Sequence, residues 1–214
     1  MKASGKTLLI GGGTRSGKTA FALACARRLG QRRVYLATAE AGDSEMALRI
    51  AAHRAERGAD FRTVEEPVQV VATLSRMTGC DVVIVDCLTL WLSNLLLREE
   101  SPEAAWRRIE QLAVAAGRFP FHLVLVTNEV GMGIVPESAL GRSFRDVAGR
   151  AHQRLAQTAD EVYFSALGVM LRLRPGPVLA VTDAPLRSTA EGALHRGPGP
   201  VRRGRAVRSA GEPG

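Results

Sequence analysis

Eight consecutive residues, Gly12-Gly13-Thr14-Arg15-Ser16-Gly17-Lys18-Thr19, match G-x-x-x-x-G-K-[ST]. They follow the apolar run Thr7–Ile10 and precede Ala20-Phe21-Ala22-Leu23-Ala24-Cys25-Ala26, so strand, glycine-rich turn and helix start come in the order a phosphate loop needs. The glycines let the backbone wrap closely enough for successive N–H groups and a helix N-terminus to face negative charge. Lys18 is then expected to reach β- and γ-phosphates, and the Thr19 hydroxyl to bind Mg²⁺. The pattern predicts a site for a nucleoside triphosphate.

Two other residues have types suited to phosphate chemistry. Asp86 closes the apolar run Val82-Val83-Ile84-Val85, the position from which an acid would share Mg²⁺ with Thr19. His53 lies in a helical stretch with Arg49 and Arg57 four residues away on either side and Arg54 next to it. Neighbouring cations favour the neutral, nucleophilic imidazole. The same spacing also describes a solvated basic face, and the residues alone leave both readings open.

These side chains need a frame. Continuous apolar segments at 7–10, 34–38, 81–86 and 122–127, with a shorter alternating one at 61–65, read as strands. Helical stretches are expected at 18–29, 43–57 (capped by Asp43 or Ser44), 67–77, 88–97, 102–117 and 138–159, with the last strands starting at 161–164. Strands that are apolar throughout and separated by helices imply an α/β fold, a mostly parallel sheet covered on both faces. Ligands in such sheets bind at the carboxyl ends of the strands, and each candidate named above is expected at such an end or just beyond it.

Composition sets the outer limits. A chain of 214 residues suggests one domain, taken as 1–185, with an appendage at 186–214. That tail has six arginines against two glutamates, half of the net charge of +8, and few large apolar residues. It reads as a disordered basic extension, and no nucleic-acid role is assigned to it. No apolar run reaches membrane-spanning length, the N-terminus leaves no room for a signal peptide, and the three cysteines form no C-x-x-C pair. A cytoplasmic enzyme is the expectation.

Further blocks appear in order: Tyr35-Leu36-Ala37-Thr38-Ala39; Glu45-Met46-Ala47-Leu48-Arg49-Ile50-Ala51-Ala52-His53-Arg54; Phe61–Glu65; Asp86–Leu95; Val126-Thr127-Asn128-Glu129-Val130-Gly131-Met132-Gly133-Ile134-Val135-Pro136; and Gly149-Arg150-Ala151-His152-Gln153-Arg154. With the phosphate loop, they make the chain resemble, over about residues 6–173, the bifunctional adenosylcobinamide kinase/adenosylcobinamide-phosphate guanylyltransferases of cobalamin synthesis. The N-E-V-G-M-G-I-V-P block is the most specific part. The resemblance implies a RecA-like P-loop fold, a homotrimer, and two reactions: ATP or GTP phosphorylates the corrinoid alcohol, then GMP passes from GTP through a histidine to the corrinoid phosphate. It implies His53 as the guanylylated residue. It also implies nucleotide contacts at 12–19, at Ala37, Thr38 and Ala39, at Arg54, Ala55, Glu56 and Arg57, and at Glu65, with Asp86 and Thr19 at Mg²⁺. Asn128 and Glu129 are open between orienting the attacking hydroxyl and shaping the glycine-rich turn. A P-loop small-molecule kinase without nucleotidyl transfer is the alternative, and a nucleic-acid-associated ATPase using the tail a more distant one.

Overall fold

The computed structural model describes residues 5–180 except 43, 99 and 100; within the second helix the side chains at 45–47, 49, 52, 53 and 56 also lie outside the described set. The expected tail at 186–214, the end of the 1–185 domain and the Asp43 cap therefore lie outside the described residues.

The elements follow one another as β1 (Thr7–Gly12), α1 (Lys18–Leu29), β2 (Arg33–Ala37), α2 (Ser44–Arg57), β3 (Phe61–Glu65), α3 (Val70–Arg76), β4 (Val82–Asp86), α4 (Leu88–Leu97), α5 (Pro102–Ala116), β5 (His122–Val126), α6 (Ala139–Thr158), β6 (Glu161–Ala166), β7 (Val169–Arg174) and β8 (Leu179–Ala180). They build one eight-stranded sheet in the order β3-β2-β4-β5-β1-β6-β7-β8. The first six strands pair in parallel, and β7 and β8 add antiparallel hairpins at one edge. The sheet is thus the mostly parallel α/β arrangement of a RecA-like P-loop fold. A single strand, β5, separates the phosphate-loop strand β1 from β4, which ends in Asp86.

Alternation along the strands divides the core into two layers. Leu9, Val83, Val85, Leu123 and Leu125 pack with α3, α4, α5 and α6. Leu8, Ile10, Val82, Ile84, Val124 and Val126 face the other way, onto Phe21, Leu23 and Ala26 of α1. Covering both faces is what makes these strands apolar throughout rather than alternating.

Local chemistry fixes the element ends. Ser101 Oγ accepts the Ala104 N–H ahead of Pro102 at N1, and Ser138 Oγ accepts the Gly141 N–H, so Ser138 caps α6 rather than beginning it. Helix α3 starts at Val70, three residues later than Pro67 suggested, because the Glu66 carboxylate takes the amides of Val68 (3.0 Å) and Gln69 (2.7 Å) into a turn first. Gly30, after α1, lies against Asp81: a Cβ there would sit 2.3 Å from the Asp81 Cβ. Asp81 in turn takes the amides of Gln31 and Arg32 and the Arg32 guanidinium, fastening the start of β2 to the start of β4.

Candidate functional site

The carboxyl ends of β1, β2, β4 and β5 open onto a cleft of about 430 Å³. Residues 14–20 form its floor, Tyr35, Ala37 and Ala39 one wall, and Asp86, Cys87, Leu90 and Asn128 another, with Ile50 and Arg57 of α2 above. That volume lies in the range of small-ligand sites.

The loop after β1 is shaped by its glycines. Gly12 (φ +151°) leaves no room for a side chain, since a Cβ would meet Ser16 Oγ and the Ser165 carbonyl, each at 2.9 Å. Gly17, at φ 85°, occupies the N-cap of α1, which has no side-chain cap and no acid in its first turn. The amides that begin α1 are thereby left to a ligand, and the helix dipole favours an anion there. Ser165 Oγ of β6 donates to the Ser16 carbonyl (2.5 Å) and holds the loop from behind.

Lys18 is buried, with Nζ donating to the Gly13 carbonyl at 2.6 Å inside the loop. Burial lowers its pKa, while Asp86 opposes that shift. Thr19 Oγ1 donates to Asp86 Oδ2 at 2.8 Å, and the same oxygen accepts the Tyr35 hydroxyl at 2.7 Å. Burial, reinforced by Asp86, pushes the Tyr35 phenol well above its ordinary value, which keeps it a donor. The Arg57 guanidinium lies 4.1 Å from the centre of the Tyr35 ring, joining α2 to this network. Thr19 and Asp86 are hard oxygen donors that suit Mg²⁺, an ion that completes its shell with phosphate oxygens and water. Among the described residues there is no group of three or more His, Cys, Asp or Glu to hold a metal without such help.

Of the residues expected to contact nucleotide, Thr14, Arg15, Ser16, Gly17, Lys18, Thr19, Ala37, Ala39, Arg57 and Asp86 line the cleft. Gly12 and Gly13 carry the loop without lining it. Thr38 is buried below, where its hydroxyl donates to the Cys87 carbonyl and accepts the Cys87 N–H, both at 2.8 Å. Arg54 pairs with Glu65 at the end of β3, away from the cleft wall, and Ala55 is exposed beside it. His53 and Glu56 lie on α2, and their side chains are outside the described residues.

The side chains of Asn128 and Glu129 go to different places. Asn128 lines the cleft, its Nδ2 donating to Thr89 Oγ1 at 3.1 Å. Glu129 shapes the turn: Oε1 accepts the Gly131 N–H at 2.5 Å, and Oε2 lies 3.4 Å from His152 Nδ1. Sequence reasoning assigns no role to Tyr35; the available signal is a lone tyrosine between aliphatic residues of β2, two residues before the strand's end.

Comparison with known proteins supplies the chemistry. The profile of the cobinamide kinase / cobinamide phosphate guanyltransferase family matches residues 8–173. The chain is 44% identical over 171 residues to the bifunctional adenosylcobalamin biosynthesis protein CobP of Pseudomonas aeruginosa, covering 79% of this chain and 98% of that one. It is 41% identical to the protein of that description, CobU, from Salmonella typhimurium and 39% to that from Escherichia coli, covering in each case 78% of this chain and 99% of the relative.

Proposed function

The chain belongs to the cobinamide kinase / cobinamide phosphate guanyltransferase family, and from that we propose how one cleft serves both reactions, with His53 as the covalent carrier of GMP. The protein is a bifunctional kinase and guanylyltransferase of adenosylcobalamin biosynthesis, taking nucleotide and corrinoid substrates. We further propose, on the family resemblance, a cytoplasmic homotrimer using Mg²⁺.

In the kinase step the corrinoid alcohol oxygen attacks the γ-phosphorus of ATP or GTP, its hydroxyl proton passing to water. The new P–O bond forms as the β–γ bridge breaks, and negative charge collects on the departing β-phosphate. The amides at the start of α1 and the Lys18 ammonium would face that charge, and being fixed beforehand they would stabilise it without reorganising. Mg²⁺, when bound, would offset charge on the β- and γ-oxygens. Thr19 and Asp86 would hold it, and Tyr35 keeps the Asp86 carboxylate in position.

In the guanylyl step the His53 imidazole attacks the α-phosphorus of GTP, a P–N bond forms, and pyrophosphate leaves. An oxygen of the corrinoid phosphate then attacks the same phosphorus, the P–N bond breaks, and the imidazole is restored. Dividing the transfer this way replaces one difficult displacement by two easier ones. The observation that supports His53 is register: it stands three residues after Ile50 and four before Arg57 on α2, and both of those residues line the cleft. Helix α2 thus presents to the cleft the face on which position 53 falls.

A chase experiment tests the covalent route. Protein incubated with GTP labelled at the α-phosphate and Mg²⁺, then freed of nucleotide, should retain label and release it into product when cobinamide phosphate is added. Retained label that unlabelled acceptor does not discharge would show that the adduct lies off the reaction path.

A further inference from the structure

Taking the kinase reading as its basis, the geometry points to His152 as a positioning residue for phosphoryl transfer. Together with Arg145, it pins the turn that presents Asn128 to the cleft.

Arg145 and His152 stand seven residues apart on α6, two helical turns on one face. Both reach the segment that follows β5. Arg145 Nη2 donates to the Gly131 carbonyl at 2.6 Å. His152 meets Thr127 Oγ1 through Nε2 at 2.8 Å and the Glu129 carboxylate through Nδ1 at 3.4 Å. A carboxylate cannot donate, so Nδ1 carries the proton, and the Nε2 of a neutral ring then accepts the Thr127 hydroxyl. Burial lowers the His152 pKa and favours that neutral form, with Glu129 opposing. The second Glu129 oxygen is committed to the Gly131 N–H.

Asn128 sits between these two anchors. The side chains of its neighbours on both sides end on one imidazole, while its own turns to Thr89 and the cleft. On its other side the main chain is tied to β1, the Thr127 N–H bonding the Ile10 carbonyl and the Glu129 N–H the Gly12 carbonyl next to the phosphate loop. The imidazole thus sets how the flanking side chains, and with them the turn, are held against that strand. Asn128 therefore brings an amide to the wall it shares with Asp86, in the cleft whose floor holds Thr19. A neutral amide can accept a hydrogen bond from an alcohol without adding charge to a site that already holds a triphosphate. None of the described contacts of His152 is with a residue of the phosphate loop, so its effect on the reaction passes through the turn.

The test is a double-mutant cycle on the full chain, reading cobinamide phosphorylation and, separately, nucleotide affinity. His152→Ala should lower kinase kcat by about tenfold to a hundredfold, the scale set by a small misplacement of a reacting group, with nucleotide Kd unchanged. His152→Gln, whose amide can donate to Glu129 and accept from Thr127, should recover most of the loss. In an Asn128→Ala background, His152→Ala should cost nothing further. Thr127→Val keeps the residue's shape and should reproduce part of the defect even where His152→Ala folds poorly. Wild-type kcat in His152→Ala would overturn the inference, as would independent, multiplying losses in the double mutant or a Kd that weakens in step with kcat. A wild-type protein that phosphorylates no cobinamide would overturn the kinase reading, and this inference with it.

Discussion

Replacing Tyr35 by Phe removes one oxygen from the site, and its consequences can be worked from the structure. The Tyr35 hydroxyl donates to Asp86 Oδ2 at 2.7 Å, a charge-assisted bond on an almost fully buried residue. Thr19 shares the same oxygen, so the carboxylate keeps one partner when the other goes. The Arg57 guanidinium stacks on the ring face and remains with Phe, which isolates the hydroxyl as the variable. Hydrogen bonds to charged groups contribute about 1.5–3 kcal/mol. At about 2–4 °C per kcal/mol for a domain of this size, the melting temperature should fall by roughly 3–12 °C. The larger effect is on function. A carboxylate freed from its orienting partner typically loses on the order of 10–100-fold in metal affinity. The Mg²⁺ concentration for half-maximal ADP release from ATP, with cobinamide as acceptor, should therefore rise by at least tenfold, and kcat at saturating Mg²⁺ should stay within a few-fold of wild type. A Mg²⁺ titration that superimposes on wild type would refute the reasoning, leaving Tyr35 and Asp86 as a structural pair.

Lys18→Ala should abolish both half-reactions while the fold persists, checked by parallel kinase and guanylyl assays; surviving turnover in either would remove the phosphate loop from that step. Gly30→Ala should destabilise by about 1–3 kcal/mol through overpacking, seen as a lower melting temperature with unchanged kcat, since the added methyl meets the Asp81 side chain far from the cleft. His152 is held below its ordinary value of 6.5, chiefly by burial. Below pH 6.5 the unfolded chain binds a proton there more readily than the folded one, so its contribution is present above that pH and is lost as pH falls. Between pH 7.5 and 5.5 the melting temperature of wild type should drop further than that of His152→Gln; equal drops would contradict this.

The parts of the site legible in the sequence are those encoded by neighbours along the chain. The phosphate loop is one: its glycines, Lys18 and Thr19 sit within eight residues, and the apolar run before it can only be a buried strand. Asp86 is another, because an acid ending such a strand falls at the ligand-binding edge of any parallel sheet. Tyr35 was not legible, since its partner Asp86 lies 51 residues away and is brought near by the pairing of β2 with β4. The Thr127–His152–Glu129 cluster depends on α6 packing against the end of β5, which no local pattern specifies. Asn128 and Glu129 could not be told apart from sequence because the distinction is one of direction: one side chain turns to the cleft, the other to α6. At α3, a proline suggested a helix start, but the Glu66 carboxylate competed for the same amides and moved the start to Val70.

The central claim is that one cleft runs two reactions and that only the second needs a protein nucleophile. His53→Asn, assayed for both activities and for bound GMP, tests it most directly. Phosphorylation of cobinamide should continue near the wild-type rate, guanylyl transfer should cease, and the acid-labile, base-stable adduct of a P–N bond should disappear. An adduct that persists in His53→Asn, or loss of both activities together in a folded protein, would contradict the account.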